Sequence, residues 1–191
     1  MEDARNRTDE AELVERVVAG RRGAVADLIG AYGNLVRRIV HRMVDDPRDR
    51  EEVLQDTFVQ TVRAMPRFRG EARLSTWIGR IAYRQCAQYL RRRKIPLERE
   101  EPRVDSDSLR DPVVPPIEWL EQRQLEERVQ RLVKRLSPAQ RAAVTLFYLE
   151  EMSIAETARI MAVPDNTVKS HLHRARTRLR ELLEKEADER E

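Results

Sequence analysis

The sequence predicts an all-α protein: two small helical domains joined by a flexible, acidic, proline-rich linker. Three observations carry that prediction. Apolar residues recur at three- and four-residue steps through both ends of the chain, the period of helices with one buried face. Aromatic residues make up only 5%, and glycine occurs six times in 191 residues and never after Gly79, too little strand and turn material for a sandwich or barrel. Five of the nine prolines stand in PLEREEPRVDSDSLRDPVVPP, which has neither helical nor strand period. Proline fixes φ and removes a donor, and neighbouring acids repel, so this stretch is expected to be extended. It divides the chain into domains at 8–94 and 118–186, with a linker at 95–117.

In the first domain, Asp9 is expected to open a short helix, with Glu12 at capping-box spacing and Leu13, Val14, Val17 and Val18 on one side. Gly20 and Gly23 bracket its end. Val25, Leu28, Ile29, Tyr32, Leu35, Val36, Ile39, Val40 and Met43 give a long second helix one apolar face, and Asp45-Asp46-Pro47 stops it. A third helix, from about 48 to 65, turns Val53, Leu54, Phe58 and Val62 inward. Its outer face carries Asp49, Glu52, Gln55 and Asp56, most simply read as solvated.

The segment PRFRG at 66–70 breaks the pattern, and a fourth helix follows from about 75 to 94. On a helical wheel Ile78, Ile81, Ala82, Cys86 and Tyr89 form its buried stripe. Arg80, Arg84 and Arg91 fall within about 40° of one another on the opposite side, with Trp77 and Gln88 at the border. Three aligned arginines repel one another unless an anion faces them, and duplex or single-stranded DNA would serve. Trp77 has two readings, a core residue stapling the loop to the bundle or a platform for an unpaired base. Cys86 reads as a small core residue.

In the second domain, Ser137 caps a helix with Pro138 at its first position, continued by Ala142, Ala143, Leu146 and Phe147. Ser153 and Glu156 form a capping box for a short helix with Ile154, Ala158, Ile160 and Met161 as apolar positions. Ala162-Val163-Pro164 makes a tight turn. Asp165 or Asn166 then caps a last helix to about 185, whose stripe is Val168, Leu172, Ala175, Leu179 and Leu182. Short helix, turn and longer basic helix read as a helix-turn-helix. Opposite the stripe stand Asn166, Ser170, His173, Arg174 and Thr177, with Lys169 on the shoulder, side chains that reach base edges in a major groove. Arg176, Arg178 and Arg180 flank them, better placed for phosphates. His171 and His173 lie two apart and point away from each other, which argues against a shared metal.

A net charge of +3 conceals a strong pattern. Ten basic residues face one acid, Glu71, between 63 and 94; ten acids face four arginines between 95 and 127; six basic residues face three acids between 165 and 185. Separate basic patches are the electrostatic footprint of nucleic-acid binding. No glycine-rich phosphate loop, multi-cysteine metal site, paired-carboxylate or nucleophile motif is present, so neither catalytic nor metal-binding residues are expected, and no cofactor or small-molecule substrate. No apolar run reaches bilayer length and the N-terminus MEDARNRTDEAE is polar, so a cytoplasmic protein without membrane insertion is expected.

The segments DREEVLQDTFVQTVRAMPRFRGEARLSTWIGRIAYRQCAQYLRRRK (49–94) and LSPAQRAAVTLFYLEEMSIAETARIMAVPDNTVKSHLHRARTRLRELL (136–183) together resemble the second and fourth conserved regions of the bacterial sigma-70 family. The blocks LQDTF, RFRGEARLSTWI, YLRRR and NTVKSHLHRAR carry most of the likeness, and keeping only these two regions resembles the extracytoplasmic-function type. The resemblance implies a promoter-specificity subunit of RNA polymerase. Asp49, Glu52, Gln55 and Asp56 would bind the clamp helices of the largest subunit. Phe68, Arg69, Arg73, Ser75, Thr76 and Trp77 would capture a base of the −10 element, with Arg80, Arg84, Gln88 and Arg91 along the same strand. Asn166, Thr167, Lys169, Ser170, His173, Arg174, Arg176, Thr177 and Arg178 would serve the −35 element. The second-largest subunit's flap and an anti-sigma factor are the further partners it implies. The sequence departs from the family pattern at Arg84 (commonly Asn), Gln88 (commonly Asp), Asp165-Asn166 (a more apolar-Gly pair) and Ala162 (commonly Gly), the last implying a slightly strained turn. The chain ends at Glu191, so no appended sensor domain is expected. A free-standing repressor is the competing reading, but no dimerisation helix is apparent.

Overall fold

A computed structural model describes residues 2–93 and 128–188; the expected linker at 95–117 lies outside them. Among the described residues every regular element is helical. Four helices make the first half: α1 (Glu2–Val18), α2 (Ala24–Met43), α3 (Pro47–Ala64) and α4 (Leu74–Arg93), with a single 3₁₀ turn at Met65–Arg67. The second half has α5 (128–134), α6 (Pro138–Val144), a π turn at Thr145–Leu149, α7 (Ile154–Met161) and α8 (Asp165–Asp188).

Local chemistry explains most boundaries. Asp46 accepts the Arg48 N–H at 3.0 Å while Pro47 takes the first turn of α3, where its missing donor costs nothing. Ser153 and Glu156 close the capping box their spacing predicts, and Ser137, the expected cap, closes a second one with Gln140. Gly20, Gly23 and Gly70 take positive φ at the turns that end α1, open α2 and precede α4. The first helix corrects the sequence reading: it begins at Glu2, so Asp9 and Glu12 lie inside it and form no cap. In α8, too, the helix opens at Asp165, and the Pro164 carbonyl accepts the N–H of Thr167 and Val168.

Val36, Ile39, Val40 and Met43 of α2 pack with Ile78, Ala82 and Cys86 of α4 and with Val53 and Phe58 of α3. The α2 face is narrower than its sequence suggests, because Val25 and Ile29 remain 41% and 43% exposed. Thr57 and Thr61 are buried polar residues inside α3; each hydroxyl donates to the carbonyl four residues back, at 2.7 Å. The second half centres on Leu146, Ile160, Val168, Leu172 and Ala175. The core does not stop at a domain boundary. α7 lies against α4 and α6 against α2, so residues of both halves form one continuous apolar cluster.

Candidate nucleic-acid interface

The first candidate surface is built on α4 and the loop before it. Phe68 and Trp77 pack ring to ring with centroids 5.2 Å apart and planes tilted by 58°. Both are half-buried, so Trp77 packs in part against the bundle, as a residue stapling the loop to it would. Arg69 and Arg73 are exposed on the loop, and Arg80, Arg84, Gln88 and Arg91 are exposed along one side of α4, opposite the buried Ile78, Ala82 and Cys86. Ser75 is half-buried and Thr76 is buried, which takes Thr76 out of direct reach from solvent. Burial pushes the Cys86 thiol up to about 12 and leaves it an inert core group.

A residue that sequence reading missed supports this surface. The Glu10 carboxylate accepts the Leu74 backbone N–H at 3.0 Å, across 64 positions, and the Tyr32 hydroxyl at 3.4 Å. An anionic acceptor at a helix start satisfies an orphan donor and the positive end of the helix dipole. Glu10 thereby ties α1 to the first residue of α4, just after the arginine-bearing loop. Burial, and then the Glu10 charge, pushes the Tyr32 phenol up to about 12.

On α3, Glu52, Gln55 and Asp56 are exposed in a row. Asp49 is only half-buried and accepts a hydrogen bond from Tyr89 of α4, so it also ties the two helices together.

The second candidate surface is α8. Its turn from α7 closes at Ala162, at φ 54° and ψ 46°, with the Val163 N–H donating to the Ala158 carbonyl at 3.1 Å. A residue with a Cβ in the left-handed region is the strain expected from alanine in place of glycine. Val168, Leu172, Ala175 and Leu182 are buried against the rest of the half. Asn166, Lys169, Ser170, His173, Arg174, Arg176, Thr177 and Arg178 are exposed, while Thr167 is half-buried. Their local bonds sort them. Ser170 donates to the Asn166 carbonyl at 2.9 Å and Thr177 to the His173 carbonyl at 3.3 Å, so both hydroxyls are partly engaged by their own helix. Arg174 donates through Nε to the Ser170 carbonyl at 3.3 Å, which holds the stem and leaves the fork outward. Arg178 is paired with Glu181 at 2.9 Å. The half-buried His171 imidazole is lowered, first by burial and then by Arg174, so it favours its neutral form.

Known proteins match both halves. The sigma-70 region 2 family model matches residues 28–95 and the sigma-70 region 4 model residues 126–179. The ECF RNA polymerase sigma factor SigM of Mycobacterium tuberculosis is 33% identical over 183 residues, covering 94% of this chain and 87% of its own length. The ECF RNA polymerase sigma-E factor of Haemophilus influenzae is 35% identical, covering 88% and 92%. Among solved structures, CnrH in complex with the cytosolic domain of CnrY superposes with a TM-score of 0.66 at 20% identity, covering 92% of this chain and 97% of that one. RpoE bound to the anti-sigma factor NepR from Bartonella quintana gives 0.64 at 19%, covering 85% and 98%. The structures share the fold, and the two region models with relatives above 30% identity over nearly the whole chain place the protein in a family: it belongs to the extracytoplasmic-function RNA polymerase sigma factors of the sigma-70 family.

Proposed function

We propose that this sigma factor recruits core RNA polymerase to promoters through two separate DNA contacts, α8 on the −35 element and α4 with its preceding loop on the −10 element. The observation that carries this reading is the pairing, in one chain, of two exposed basic helix faces of different character. The α8 face presents an arginine fork, a lysine and a histidine from one helix, suited to a major groove. The α4 face sets Arg80, Arg84 and Arg91 beside a half-open Phe68–Trp77 pair, suited to a strand whose bases are unstacked. Arg176 and Arg178 add phosphate contacts, which fix register without reading sequence. The row Glu52, Gln55 and Asp56, with Asp49 beside it, supplies an acidic surface for the polymerase clamp helices, and the second half engages the flap. The chain contributes binding energy and the polymerase makes the bonds. No helix among the described residues is long and apolar enough to cross a membrane; the protein works in the cytoplasm, under an anti-sigma factor.

The test is run-off transcription with purified core polymerase on promoter fragments from the parent genome. Discrete start sites that require the protein support the reading. Core-level, unpositioned transcription on every fragment overturns it.

A further inference from the structure

Helices α2, α3 and α4 pack around one core, and two of their outer faces carry the acidic row of α3 and the arginine side of α4. The outer face of α2 is organised as well. Gly30, Asn34, Arg37 and His41 are all exposed and fall within about 60° of one another on a helical wheel, on the side away from Val36, Ile39 and Val40. From Leu28 to Val44 the chain contains no acid. Arg38 stands beside the row but is committed to Glu150. The row continues past the end of α2 through a residue of α3. Arg50 donates through Nε to the Val44 carbonyl at 2.9 Å and through Nη2 to the Asp45 carbonyl at 3.0 Å. Two backbone acceptors thus hold its guanidinium about one turn beyond His41. The His41 imidazole is pushed below its usual range, first by partial burial and then by Arg50 and Arg37, with Glu51 opposing, so the three basic side chains share one field. Among the described residues Arg37 and His41 make no hydrogen bond or ion pair.

We infer that this ridge of α2, made by Asn34, Arg37, His41 and the Arg50 fork, grips the sugar-phosphate backbone of promoter DNA as a third contact beside those of α4 and α8. The inference rests on the promoter reading above. One-turn steps set the basic groups about 6 Å apart in a line. A nucleic-acid strand offers its anions in a line, and each phosphate neutralised releases condensed counterions. Three basic groups aligned without an acid among them repel one another until such an anion faces them. Gly30 extends the ridge with open space where a Cβ would stand, so a strand can approach the helix closely there. Arginines that meet phosphates fix register and add affinity without reading sequence, so the contact is expected to be the same on every promoter. An acidic protein surface is the competing occupant, but its carboxylates lack the regular repeat that the ridge matches.

Binding of the polymerase–sigma complex to a promoter duplex and to a random duplex, measured over a salt series, tests this. Arg37 is exposed, so its variants keep the fold. Arg37→Gln should reduce the slope of log affinity against log salt by about 0.7–0.9, the share of one phosphate, and equally on both duplexes. Arg37→Lys keeps the charge and should restore the slope. Arg37→Cys carrying an iron chelate should cut one defined stretch of the promoter duplex, while the native Cys86 is buried and stays unlabelled. An unchanged slope in Arg37→Gln, or no cut strand, overturns the ridge. So does weakened assembly with core polymerase at an unchanged slope, because the occupant is then an acidic protein surface. If the wild-type complex starts no positioned transcription, the promoter reading fails, and the slope on the random duplex alone decides whether the ridge binds phosphates.

Discussion

Glu10→Ala removes the acceptor that ties α1 to the start of α4. Leu74 then loses a bond of 3.0 Å to a carboxylate, and Tyr32 loses a weaker one at 3.4 Å. Side-chain acceptors at helix starts are worth about 0.5–2 kcal/mol, and bonds to charged groups about 1.5–3 kcal/mol. Glu10 is half-buried, so water replaces part of the loss and the cost falls at about 1–2 kcal/mol, a factor of about 5–30 in the population of the ordered start of α4. Because that residue follows the loop with Phe68 and Arg73, the deficit should appear as slower promoter opening, read from a fluorescent base analogue in the −10 element. Binding of the −35 duplex by α8 should be unchanged. Glu10→Gln retains an acceptor without the charge and should fall between. The Tyr32 phenol should drop from about 12 in the alanine variant yet stay above its ordinary value, since burial is the larger cause. Opening at the wild-type rate with an unchanged Tyr32 titration would refute the reasoning.

Further predictions concern single groups. Lys169→Ala or Arg174→Ala should weaken matched −35 sites by about 1–3 kcal/mol and relax specificity there, measured by competition binding; equal loss on random duplex would contradict base reading. Trp77→Ala should impair opening more than duplex binding, and should cost about 0.5–1.5 kcal/mol of stability through the lost Phe68 contact, read by thermal melting. Ala162→Gly should stabilise the second half by about 1 kcal/mol by relieving the left-handed backbone at φ 54°. Ser153→Ala should cost about 1 kcal/mol through the lost cap. Hydrogen bonds from Ser153 hold Glu156 below the usual carboxylate range. A carboxyl lowered by folding adds stability above its ordinary value of about 4.3 and loses it as pH falls through the lowered one, so the acid limb of the wild-type stability curve should flatten in Ser153→Ala.

What the sequence revealed and what it hid divide along physical lines. Caps are local chemistry, so the Ser137 cap and the Ser153–Glu156 capping box were readable from residue type and spacing, while Gln140 closing a box on Ser137 was not read. The α8 stripe was readable because one side of that helix is buried along most of its length. Strain at Ala162 followed from the residue type that a tight turn prefers. Periodicity misled where packing thins out: Val25 and Ile29 continue the α2 pattern but stay partly exposed, outside the buried core. Asp9 suits a cap, yet the helix continues through it to Glu2, so residue preference did not locate that end. Glu10 with Leu74, Arg141 with Asp45 and Arg38 with Glu150 are separated by 64, 96 and 112 positions. No local pattern marks such pairs, because they exist only once the helices are packed. The same holds for Gly79, an unremarkable helical glycine until Ile160 arrives beside it.

The central claim is that one chain reads two DNA elements with two different surfaces. It is tested most directly by selecting start-site-competent promoters from a duplex library with core polymerase and this protein, with both upstream blocks randomised. The account predicts two enriched blocks at a constant spacing, with Arg174→Ala blurring the upstream block and Trp77→Ala depleting the downstream one. A single enriched block, or two blocks that respond alike to both substitutions, would contradict it.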